Sequence, residues 1–448
     1  MPQKRPPLVR VGLFALLIAM LFAGSALAAA STENVTYSFP SGTPAQTTGC
    51  HPNGALVADS AGNLYGTTPG CGAFSSGTVF ELVRPAPGAT KWTETVLYSF
   101  TGDSDGDQPQ AGVIFDSAGN LYGTARLGGA SGKGVVFELT PPAAGESVWT
   151  ESVLYSFQGG TTGGENPQYQ GVVFDHAGNL YGVTALGGID YSEDKLCGTN
   201  GCGVIYELTP SATAGAPWTE TILHYFNGGQ GSGGAGTPLF DAKGNLYGEA
   251  IGGGGPGGGL VYRLTPPAAG ETAWTFKALY VFGGGTSNDS RYPQGSLTLH
   301  GGLLYGTALG GQNSVGTVFQ LTPPLVAGGA WTENILHNFG SSANDGAFPE
   351  AVSLVFDKAG NIYGTTSNGG GDGNTQCNYG GCGVIFELSP PAAGITDWTE
   401  TILHSFPATT KDVVSPDFGL IFGKNGNLYG TGPSGGADGE GGIFSVVP

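Results

Sequence analysis

The chain has 448 residues, 84 of them glycine, with 39% hydrophobic and only 11% charged residues. Its formal charge of −19 argues against a nucleic acid partner, because polyanions are bound through clustered Lys and Arg. The glycines sit at fixed offsets between Val, Ile, Leu, Tyr and Phe clusters, which is the pattern of many short strands joined by tight turns, not of a low-complexity chain.

In chain order, residues 1–28 read as a signal peptide. Lys4, Arg5 and Arg10 precede an apolar run from Val11 to Phe22, and Ala26-Leu27-Ala28 offers a signal peptidase site. Cleavage after Ala28 leaves a mature domain of residues 29–448 with 12 Lys plus Arg against 34 Asp plus Glu, a charge of −22. No second apolar span follows, so no stable membrane span is expected after cleavage. The expected location is outside the cytoplasm: secreted, periplasmic or at the cell surface.

The mature chain is a tandem repeat. Leu-Tyr-Gly-Thr or a close variant recurs seven times, ending at Gly66, Gly123, Gly182, Gly248, Gly306, Gly364 and Gly430, at intervals of 57 to 66 residues. In the second unit, Ala111–Asp116 reads as a first strand, Ser117–Asn120 as a turn and Leu121–Thr124 as a second strand. Gly134–Thr140 reads as a third strand and Trp149–Phe157 as a fourth. Four short antiparallel strands per unit make a propeller blade. Asp-x-x-Gly-Asn supplies the first turn, with His300 and Gly423 replacing its Asp in units five and seven.

The ends predict a closed ring. Ser31–Phe39 matches Trp331–Phe339, a fourth strand, while the chain finishes on Gly442–Val446, a third strand. A seven-bladed all-β propeller joined by its N-terminal strand leaves neither fragment with an open edge. All six tryptophans begin fourth strands, which reads first as scaffold and second as a carbohydrate platform.

Gly-Asn-Leu-Tyr-Gly-Thr, Gly77–Leu82 with Gly316–Leu321, and Trp92–Phe100 together resemble the tandem repeat called GloVer. That resemblance spans residues 31–448 and implies an exported bacterial repeat protein of the choice-of-anchor kind, without implying an activity. The chain departs from it by ending at Pro448 with no sorting segment. The Asp-x-x-Gly-Asn-Leu-Tyr piece is more weakly similar to blades of lactonase-like and streptogramin-lyase-like propellers.

In an up-and-down blade, the loop between second and third strands and the connector to the next blade share one face, here called the loop face. These are the variable segments, so a ligand site is expected there, near the channel. Arg126, Tyr169, Tyr191, Glu249, Arg291 and Tyr292 are the single-copy candidates for ligand contact. Six cysteines in an exported chain predict the disulfides Cys50–Cys71, Cys197–Cys202 and Cys377–Cys382, with a four-cysteine zinc site as the rival. Asp103, Asp105 and Asp107 alternate carboxylates as a simple calcium site would, although the spacing excludes an EF-hand.

His224, His337 and His404 replace the tyrosine of Tyr98 and Tyr155 and read as scaffold variants, and His176 falls in a turn on the opposite face. Two functions follow. One is a non-catalytic binding or surface module for a glycan, a small molecule or an envelope protein. The other is a lactonase-type or lyase-type enzyme, for which His51, Arg126, Glu249 and Arg291 would have to converge.

Overall fold

A computed structural model describes residues 33–41, 48–168, 171–188, 197–213, 215–283, 289–326, 328–350, 352–371, 377–392, 394–407 and 412–448. The predicted signal segment and the candidates Tyr169 and Tyr191 lie outside these residues. The fold is a seven-bladed β-propeller of four-stranded antiparallel sheets. Blade 1 consists of Asn53–Ala58, Leu64–Thr68, Thr78–Val83 and Thr93–Ser99, from the axis outward. Blade 7 takes Ile421–Phe422, Leu428–Gly432 and Gly442–Val446 from the C-terminus and its outer strand, Asn34–Ser38, from the N-terminus. In that closing pair Asn34 faces Ser445 and Ser38 faces Gly442.

Except in blades 1 and 4, first strands are shorter than the sequence suggests. In blade 2 only Ile114–Phe115 joins the ladder, because the stretch before it runs against its neighbour: a Cβ on Gly112 would lie 2.2 Å from the Ala55 carbonyl oxygen of blade 1. Residues in or just ahead of the first strands of all seven blades line an axial cavity of about 120 Å³.

The apolar core lies between blades. A phenylalanine closes every outer strand and meets, edge to face, the Phe or Tyr of the next blade's third strand. The seven pairs run from Phe39–Phe80 to Phe406–Phe444 with ring centroids 5.0 to 5.7 Å apart. Each seam thus buries two aromatics that neither blade can bury alone, which is why the blades form a ring.

A backbone lock repeats at each seam. The connector residues His51, Gln108, Asn166, Gly233, Tyr292, Phe348 and Ser415 each donate their N–H to a carbonyl two residues before the preceding blade's third strand, at 2.6 to 3.0 Å. All seven have φ between 55° and 64°. For the six that are not glycine this left-handed backbone costs about 1–3 kcal/mol each, so it persists only where surrounding structure fixes it. A proline follows each of the six.

The three predicted disulfides are present as paired in the sequence reading, which removes the zinc alternative for these cysteines. Two of them bracket single 3-10 turns, Gly198–Asn200 and Asn378–Gly380. Among the described residues no helix is long and apolar enough to cross a membrane.

Candidate functional site

The face carrying the Asp-x-x-Gly-Asn turns, opposite the loop face, holds two adjoining grooves. One, of about 340 Å³, lies between blades 3 and 4 and is walled by Phe174, Tyr181, Phe240 and Trp274. The other, of about 460 Å³, lies between blades 2 and 3 and is walled by Phe115, Tyr122, Phe174 and Trp218. Phe174, Asp175 and His176 belong to both.

The walls follow from the repeat. A first-strand Phe stands edge-on to the preceding blade's Leu-Tyr-Gly tyrosine, with centroids 4.9 Å apart for Tyr122–Phe174 and 5.0 Å for Tyr181–Phe240. The tryptophan ahead of the next outer strand closes the side, as in Tyr181–Trp274 at 5.8 Å.

The polar rim is preorganised by the turn. Asp175 Oδ1 accepts from the N–H groups of Ala177 and Asn179 at 2.8 and 2.9 Å, and Oδ2 accepts from Asn179 Nδ2 at 2.9 Å and the Tyr181 hydroxyl at 3.2 Å. Burial, followed by Glu207, holds the Tyr181 phenol above its usual range, so it stays a neutral donor. At Asp241 burial opposes ionisation, but donors from Asn245, Lys243 and Tyr247 outweigh it and hold the carboxyl below its usual range. Each groove therefore combines aromatic walls with hydrogen-bonded aspartate carboxyls, and neither has a Lys or Arg in its lining.

Other seams of this face are covered differently. At blades 5 and 6, His300 stacks on Phe356 with centroids 4.1 Å apart. At blades 7 and 1, Lys424 Nζ donates to the Ser60 carbonyl.

The sequence matches the model of the Gloeobacter/Verrucomicrobia repeat over residues 27–193 and 191–444. The chain belongs to this family. No curated protein matches it. Solved propellers similar to it include the PQQ-bound aldose sugar dehydrogenase of Streptomyces coelicolor (15% identity, 80% of this chain, 98% of that one, TM-score 0.41) and the NanB sialidase of Streptococcus pneumoniae (12% identity, 92% and 70%, TM-score 0.38). Likeness at this level carries no functional argument.

On the loop face of this Gloeobacter/Verrucomicrobia repeat protein, the single-copy candidates are spread out. His51 lies against blade 7, its Nδ1 2.7 Å from the Pro433 carbonyl oxygen and its Nε2 3.3 Å from Glu440. Arg126 reaches Asn166 at 3.2 Å and Gln108 at 3.5 Å. Arg291 and Tyr292 are exposed on the connector into blade 5. Among the described residues no hydrogen bond or ion pair joins any two of His51, Arg126, Glu249 and Arg291.

Glu249 does not approach the channel mouth. It occupies the Thr position of Leu-Tyr-Gly-Thr, where Thr67 and Thr365 bond to the next blade's backbone at 2.8 and 3.0 Å, and this register buries it completely with both oxygens unpartnered among the described residues. Burial pushes its carboxyl well above the usual carboxylate range.

The three carboxylates of the calcium candidate do not gather around one point among the described residues. Asp105 turns inward to accept from Tyr98 at 2.9 Å and from the Thr101 N–H at 2.8 Å, and Asp103 is exposed.

Sequence reasoning passed over His176 because its turn faces away from the loops. The available signal was its uniqueness: the same turn position holds Ser60, Ser117, Ala242, Gly301, Lys358 and Lys424 in the other blades.

Proposed function

We propose that the protein is an exported, non-catalytic binding module whose turn-face grooves hold neutral sugar rings of a glycan. The observation that carries this reading is the pair of grooves meeting at His176, each with a tryptophan, a tyrosine and two phenylalanines beside an aspartate. Aromatic walls take the apolar faces of a ring, and the exposed His176 imidazole at the rim can exchange hydrogen bonds with its hydroxyls. Adjacent grooves suit successive rings of one chain, and carboxylates without a lining cation disfavour acidic sugars. Export is supported by three disulfides, which persist in oxidising compartments.

Isothermal titration of residues 29–448 with neutral and uronic oligosaccharides tests the reading. Saturable heat with a neutral chain, weakened in His176→Ala, is the expected result. Binding indifferent to His176→Ala and Trp274→Ala would reject it.

The lactonase-type or lyase-type alternative rests on another observation. Burial, with Glu350 second, pushes up to about 8 the carboxyl of Asp417, the residue before the cavity-lining Phe418, and a carboxyl poised near neutrality suits general acid work. Turnover of a lactone panel that disappears in Asp417→Asn would favour it.

A further inference from the structure

At the seam of blades 6 and 7, Glu33 of the closing segment meets His404 of blade 6 and Asp412 of the connector. One ligand-capable atom from each lies within 4.8 Å of the other two. Glu33 Oε1, His404 Nε2 and Asp412 Oδ1 are each shut off from solvent and among the described residues have no hydrogen-bond partner outside this group, within which the Glu33 and Asp412 carboxyls lie close enough to share a proton.

Other seams satisfy this position in part. Tyr37 donates to Glu94 at 2.8 Å and Tyr155 to Glu220 Oε2 at 2.7 Å, although Glu220 Oε1, like Glu33 Oε1, has no partner among the described residues. One seam earlier His337, Asp345 and Glu400 make a cluster of the same composition, but there His337 Nε2 lies 3.2 Å from Asp345 Oδ1, close enough to bond, and 3.5 Å from Glu400 Oε1. At the closing seam, His404 Nε2 stands 3.7 Å from Asp412 Oδ2, beyond a hydrogen bond. Unpartnered buried polar atoms are rare in native proteins and call for an explanation, an ion among them.

We propose that Glu33, His404 and Asp412 bind a borderline divalent cation of the zinc, cobalt or manganese class. One imidazole nitrogen and two carboxylate oxygens are the donor set such ions take, and a +2 charge offsets two carboxylates. The cation would tie the N-terminal segment to blade 6, across the joint that closes the ring.

The test uses the mature protein stripped with a chelator and titrated with Co²⁺, read by visible absorption, and with Zn²⁺, read by melting temperature. One equivalent of Co²⁺ should give ligand-field bands, and excess Zn²⁺ should raise the melting temperature by about 2 °C or more. His404→Tyr restores the residue used at Tyr37, Tyr98, Tyr155 and Tyr280, so it should fold and lose both responses. His337→Tyr should keep them. Absence of both responses in the parent protein, their survival in His404→Tyr, or their equal loss in His337→Tyr would overturn the site.

Discussion

The two faces of the propeller divide conformity and variation in an instructive way. The loop face carries the disulfides, the glycine-rich insertions and nearly every single-copy polar residue, yet His51 and Arg126 are engaged locally at different seams and Arg291 is exposed at a third. Its pocket between blades 2 and 3 is about 200 Å³ and polar, with Lys133 Nζ 2.8 Å from Glu165. The turn face repeats one chemistry from blade to blade, yet it holds larger aromatic grooves. Variation in sequence marks where change is tolerated, whereas a cavity is made by how repeated side chains meet across a seam. His176 connects the two ideas, being a single-copy residue on the conforming face.

The comparison can be broken in several places. The seam pairs should matter most: Phe282→Ala should cost about 3–5 kcal/mol in chemical denaturation. On the loop face, replacing Cys197 and Cys202 by serine should cost only about 2 kcal/mol, since the bridge spans few residues. A bridge loss as large as the phenylalanine loss would shift the source of stability to the loops. For binding, Trp274→Ala should weaken a neutral oligosaccharide about 30-fold, roughly 2 kcal/mol. Arg126→Ala on the other face should change affinity by less than about 2-fold, as expected for a residue outside the contact.

The smallest effect concerns pH. Burial, with Asp105 second, pushes Glu151 up to about 7 from an ordinary 4.5. Its folded pKa is raised, so its contribution is complete below about pH 4.5, declines as the pH rises and is lost through about 7. His224, lowered to about 4 by burial, has the opposite sign: its contribution is present above pH 6.5 and is lost as the pH falls through about 4. Glu151→Gln should therefore reduce the difference in melting temperature between pH 5 and pH 8 by roughly 1 °C. An unchanged difference would mean that Glu151 titrates normally.

The fold was largely legible in the sequence. Seven copies of Leu-Tyr-Gly fixed the blade count, the outer-strand match of the N-terminal segment gave the closure, and equivalent cysteines gave the disulfides. The seam lock was not legible. His51, Gln108, Asn166, Tyr292, Phe348 and Ser415 share a backbone conformation and not a side-chain type, and only the proline that follows links them. The grooves were hidden for another reason: Tyr181 and Trp274 are 93 residues apart and meet only once two blades pack. Glu249 was misread because its place on the second strand was visible while the neighbouring blade that encloses it was not. The alignment with Thr67 and Thr365 contained that information.

The most direct test of the turn-face assignment is amide hydrogen exchange of residues 29–448, alone and saturated with a neutral oligosaccharide that binds. Slowed exchange confined to the turns at Asp175–Asn179 and Asp241–Asn245 is the predicted result. Slowed exchange at the connectors Asp107–Gln110 and Arg291–Gln294, with the turns unchanged, would place the ligand on the loop face and contradict it.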